Sequence, residues 1–186
     1  MRYWSLVLLL SCPSLTFADE VLTPRPLDAE AAATLSRGLE HSPLVRTLVR
    51  EIESSNVLVH ILYSWDLPPG IGGTTRFVVG RGGYRYVRIT LSTRLRGDDR
   101  VAILGHELEH AAEIARSDAD DQESLGRLLA ATGYRTTEHF FETSSARRAE
   151  RTIRQELALE TQPVVELHHQ HLRPAGAKAA AEIPKR

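Results

Sequence analysis

Ile103-Leu104-Gly105-His106-Glu107-Leu108-Glu109-His110-Ala111-Ala112-Glu113-Ile114 is the stretch on which the reading of this chain turns. It contains His-Glu-x-x-His. On a helix, residues four apart stand one above the other, so His106 and His110 project from one face and can share a zinc ion. Glu107 is turned about 100° from His106, a poor direction for a third ligand. It is a good direction for taking a proton from a metal-activated water.

The same 100° rotation shows what the helix buries. Val101, Leu104, Leu108, Ala111, Ala112 and Ala115 form a broad apolar face. His106, His110 and Glu113 lie opposite, flanked by Ile103 and Ile114, which leaves only the band of Gly105, Glu109 and Arg116 for water. A helix apolar over most of its circumference belongs inside a domain. Imidazoles and carboxylates buried there need partners, and a metal supplies them.

Upstream, Asp28 is placed to cap a helix through Ala29 to about Leu39, and Ser42-Pro43 to start another carrying Leu44, Val45, Leu48, Val49 and Ile52. Asn56–Trp65, Thr74–Val79 and Tyr84–Leu91 are rich in β-branched and aromatic residues, and Gly80-Arg81-Gly82-Gly83 has turn chemistry. These read as two or three antiparallel strands. His60 fits a packed or edge histidine better than a ligand. Gly97-Asp98-Asp99 starts the motif helix. Beyond it a short helix is expected over Gln122–Ala131, closed by Gly133, and a longer one from about Thr137 to Leu159. The fold class expected is α+β, a small antiparallel sheet with a buried metal-binding helix and flanking helices.

With 186 residues, 42% apolar and 25% charged, the chain suits one soluble domain with a proper core rather than two. The formal charge of −1 gives no basis for nucleic acid as a partner. Residues 1–18 read as a secretory leader, with Arg2, an apolar run at Leu6–Leu10 and a small-residue cleavage site at Ala18. That run is too short to span a bilayer. Cleavage removes the sole Cys, Cys12, so the secreted or periplasmic domain, residues 19–162, has no disulfide and no thiol chemistry. The minor alternative is a lipoprotein anchored at Cys12. Residues 163–186, rich in Ala and Pro, are expected to be a disordered tail; its His168, His169 and His171 are not read as a site.

The motif helix resembles the zincin metallopeptidases. It is also similar to uncharacterised exported bacterial proteins with a His-Glu-Leu-x-His-Ala-x-Glu-Ile stretch. The resemblance implies zinc ligation by His106 and His110, Glu107 as general base, and a peptide or protein substrate. Zincins generally carry uncharged residues between the motif Glu and the second His; Glu109 departs from this, on the band assigned to water. The metzincin branch is excluded, because its Gly and His positions hold Glu113 and Arg116 and the cleaved chain has no Met. In the gluzincin branch the third ligand is a Glu from a later helix, and Glu142 is the candidate. Glu113 lies on the histidine face about 4.5 Å beyond His110 along the axis, which suits a partner orienting His110 better than a ligand.

His139 and Tyr134 are the candidates for stabilising an oxyanion, with Tyr84 and Tyr86 as further ones. If Tyr84–Leu91 is an edge strand, a peptide can bind by adding a strand to it. The alternative to the enzyme is a non-catalytic exported domain that keeps the helix for metal binding or protein interaction.

Overall fold

A computed structural model describes residues 24–137 and 140–160, with side chains except those at 129, 132 and 134–141. The expected leader and tail, and His139, lie outside the described residues. The described elements run β1 (Arg25–Pro26), α1 (Ala29–His41), α2 (Pro43–Glu53), β2 (Val57–Ser64), β3 (Gly73–Arg81), β4 (Tyr84–Ser92), α3 (Asp98–Ala115), α4 (Gln122–Thr132), β5 (Gly133–Thr137), β6 (Phe140–Thr143) and α5 (Ser144–Glu160). This is an α+β fold, as the sequence led us to expect.

Local chemistry explains the first boundaries. Asp28 accepts from Ala31 N at 2.7 Å and, through its other oxygen, from Tyr63 N at 2.9 Å, so one carboxylate caps α1 and ties it to β2. Ser42 ends α1 and caps α2, accepting from Val45 N at 3.0 Å, with Pro43 in the first turn. Gly82 and Gly83, at φ of 61° and 81°, make the tight turn between β3 and β4 in a region that favours glycine.

The main sheet has the order β1-β2-β4-β3 and is mixed, which corrects the expected antiparallel sheet. β3 and β4 form an antiparallel hairpin, but β2 runs parallel to β4. The link after β2 lays β3 one strand position away, and the glycine turn then brings β4 back into the gap. β4 is therefore interior, and β3, not Tyr84–Leu91, is the edge. Val57, Val59, Ile61, Val87, Ile89 and Leu91 are fully buried on the face turned towards the helices.

A second correction concerns the chain after α4. Gly133 does not close the helix into a loop; it opens β5, which pairs antiparallel with β6. The expected helix from Thr137 thus begins only at Ser144. Tyr134-Arg135-Thr136-Thr137 and Phe140-Phe141-Glu142-Thr143 are dense in β-branched and aromatic residues, which favour strand. Thr143 Oγ1 accepts from Ala146 N at 3.1 Å and supplies the start signal for α5.

α3 is the centre of the molecule, against the sheet on one side and α5 and α2 on others. Of the band assigned to water only Arg116 is wet; Gly105 and Glu109 are buried. A methyl group on Gly105 would come within 1.9 Å of Ile153 Cδ1 of α5, so the missing side chain is what lets the two helices meet. Glu109 is only 7% exposed and accepts from Arg116 Nη1 at 2.8 Å, while Arg116 Nη2 holds Glu51 of α2 at 2.7 Å. Arg85, at the start of β4, donates to the carbonyls of Ile114 and Ser117, each at 2.7 Å, and fixes the end of α3 where the helix dipole is negative. Among the described residues no helix is long and apolar enough to cross a membrane.

Candidate metal centre

One turn of α3 separates His106 from His110, and their ring centroids lie 5.1 Å apart. Both residues are buried, in the middle of a helix that packing holds on nearly every side. Each ring is oriented through Nδ1 by a carboxylate. His110 Nδ1 lies 2.9 Å from Glu113 Oε2, and Ser145 Oγ donates to the other oxygen of Glu113 at 2.6 Å. His106 Nδ1 lies 3.2 Å from Glu150 Oε2, and Arg154 Nη2 donates to Glu150 Oε1 at 2.9 Å. With both Nδ1 atoms engaged, the Nε2 atoms are the ones left for a ligand.

Glu142 comes to this pair from β6. Its Oε1 is buried and makes no hydrogen bond, although it lies 3.3 Å from His106 Nε2. His106, His110 and Glu142 each offer a ligand atom, all within 4.8 Å of one another. A buried carboxylate oxygen that makes no well-formed hydrogen bond, beside two imidazoles, belongs to a donor set that suits a divalent metal such as zinc. The three side chains fit a metal.

No protein-family model, curated protein or solved structure matches this chain.

Electrostatics follow from the crowding of acids around two histidines. Burial lowers the His106 pKa, but the Glu142 carboxylate at Nε2 and the charges of Glu107 and Glu150 outweigh it and raise it to about 9. Burial pushes Glu142 up, and the two histidines with Arg147 bring it below its ordinary value. For Glu113 burial is likewise outweighed, by His110, Ser145 and Thr143. Glu107 is the exception. Its burial dominates over both histidines and Thr75, and its carboxyl is raised.

Glu107 lies against β3. Its Oε2 accepts from Thr75 Oγ1 at 2.8 Å, and its Oε1 occupies the space that a side chain on Gly73 would need; a Cβ there would be 2.7 Å away. A cleft of about 1190 Å³ runs between the edge strand and α4, and Glu107, His106, His110 and Glu142 all line it.

The structure thus gathers His106, Glu107, His110, Glu142 and Glu113 into one place. Glu142 stands on a strand rather than on the later helix that the gluzincin resemblance implied. That helix contributes Glu150 instead. The side chain of Tyr134, like His139, lies outside what is described. Tyr84 and Tyr86 alternate with the buried positions of β4 and so face away from α3. The sequence reading missed Gly73, Thr75, Ser145 and Glu150. Thr75 had a signal, since it alternates onto the helix side of its strand. Glu150 and Ser145 had none, because α5 had first to be placed beside α3.

Proposed function

We propose that this chain is an exported metal-dependent hydrolase of the zincin peptidase kind, with His106, His110 and Glu142 holding zinc and Glu107 as general base. The observation that carries the reading is the buried, hydrogen-bond-free Oε1 of Glu142 facing two histidines already oriented by carboxylates. A bound divalent ion would supply Lewis acidity, acidifying water and polarising a carbonyl. Within the protein, Glu107 accepts the proton at Oε1, the oxygen that Thr75 leaves free. Burial keeps the carboxyl basic enough to hold that proton. Glu113 and Glu150 hold the imidazoles in one tautomer and direction. The leader at residues 1–18 would deliver the domain outside the cytosol. A peptide would lie in the cleft along β3, whose outer edge, unpaired among the described residues, can take another strand.

The test is metal content and peptide hydrolysis by the full chain, wild type beside Glu107→Gln. About one zinc per chain in both, with hydrolysis in the wild type alone, is the expected result. Zinc bound without hydrolysis of any member of a broad peptide library would leave a non-catalytic metal-binding domain. No bound metal would overturn both readings.

A further inference from the structure

The register of the main sheet lines up four basic side chains. Arg25 pairs with His60, His60 with Arg88, and Arg88 with Arg76. Paired positions point to the same face, so these residues form one row across all four strands, about 4.8 Å apart from strand to strand. The row lies on the face away from the core, alternating with the buried Val59, Ile61, Val87 and Ile89. Arg25, Arg88 and Arg76 are exposed and, among the described residues, none of the three has an acidic partner. Burial and the charges of Arg25 and Arg88 lower the pKa of His60, as expected of a ring between two cations.

Like charges directly opposite each other destabilise a sheet, so Arg76 facing Arg88 is unfavourable until an anion joins them. The row ends at β3, the edge strand beside Glu107. Among the described residues, no backbone hydrogen bond from another element reaches the outer edge of Gly73–Arg81. Arg76 and Arg88 line the same cleft as His106 and Glu107. Thr75 points to Glu107, so the next residue, Arg76, points to the opposite face. A strand added to β3 would repeat that alternation and set one of its own side chains beside Arg76.

We propose that the substrate is an acidic peptide, docked as a fifth strand on β3 with an Asp or Glu side chain beside Arg76. Arg76 is then a specificity-determining residue, and the acid falls within about two residues of the bond cut. The proposal rests on the peptidase reading above, but its test separates the two. Zinc-loaded full chain is given peptide series identical except for Glu, Gln or Lys at one position. Both the dissociation constant and kcat/KM are measured at low and high salt.

Glu is expected to be favoured over Gln by about fivefold at low salt, the size of a partly exposed ion pair, and less at high salt. Arg76→Glu, on an exposed position, should keep its zinc and reverse the preference towards Lys. Acid-selective binding without cleavage would support acidic-peptide docking beside Arg76 and overturn the peptidase. Cleavage with equal kcat/KM across the series, or a preference that Arg76→Glu leaves untouched, would overturn this proposal and spare the peptidase. Binding of the wild type to vesicles containing one-third phosphatidylglycerol, with no acid preference among peptides, would overturn it in favour of a lipid surface. Neither binding nor cleavage of any peptide would overturn both.

Discussion

Thr75 donates to Glu107 Oε2 across 2.8 Å, from the edge strand to the central helix, and so leaves Oε1 as the free oxygen of a buried carboxylate. Thr75→Val removes the donor at nearly constant volume. The expected outcome is unchanged zinc content with kcat reduced about tenfold or more, because the base loses its fixed direction. A fall in zinc content equal to the fall in activity would show that Thr75 acts on the metal ligands instead.

Gly73 provides room for that carboxylate. Gly73→Ala puts a Cβ 2.7 Å from Oε1, closer than such contacts occur, and Glu107 or the strand must move. Activity should fall by about 10²-fold with metal retained, as a misplacement near 1 Å produces. Full activity in this variant would show that Oε1 is not the proton acceptor.

Glu150 and Glu113 play matching roles from two helices. Glu150→Gln and Glu113→Gln should each weaken zinc binding by about 10–100-fold, measured by competition with a chromogenic chelator. Glu142→Ala removes the proposed third ligand and should weaken binding more than either. A Glu142→Ala protein that binds zinc like the wild type would remove this residue from the donor set.

The metal-free protein should show a distinctive pH response. The His106 pKa is raised from 6.5 to about 9 in the fold, so its protonated form is stabilised there. That contribution is complete below pH 6.5 and is lost as pH rises through about 9. With chelator present, the unfolding midpoint should therefore fall over pH 6.5–9, whereas the zinc-loaded protein should not follow it. For the same reason, zinc binding near pH 7.5 should release about one proton, visible as buffer-dependent heat in calorimetry. Identical heats in buffers of different ionisation enthalpy would contradict the assignment.

Gly105→Ala tests the packing of α3 on α5. The added methyl would meet Ile153 Cδ1 at 1.9 Å, and overpacking of this kind costs about 1–3 kcal/mol. Denaturant unfolding should show the loss, and Ile153→Val in the same chain should restore part of it.

The sequence made legible whatever depended on local period. His106, Glu107 and His110 could be placed on one buried helix because the apolar spacing and the motif share a 3.6-residue repeat. The strand character of Asn56–Trp65, Thr74–Val79 and Tyr84–Leu91 followed from their β-branched and aromatic residues. Strand order did not, because nothing in Val57–Ser64 records that β4 will slip in beside it in parallel. Glu109 was misjudged because a charged residue on the least apolar band was assigned to water, whereas Arg116 and Glu51 close over it. The helix expected from Thr137 overran its true start because the acidic and basic residues of α5 masked the strand-forming Thr and Phe before it.

The fit between Gly105 and Ile153 also has a consequence for assembly order. His106 follows Gly105 directly, and the carboxylate that aims its ring, Glu150, sits one turn before Ile153 on the last described helix. Until that helix seats itself, the notch at Gly105 stays open and His106 lacks its guide. Glu142, just upstream on the strand leading into the same helix, is equally unplaced. Docking of α5 and completion of the proposed donor set are therefore one event. A nascent chain, however well its sheet has formed, should capture its ion only after that closing step.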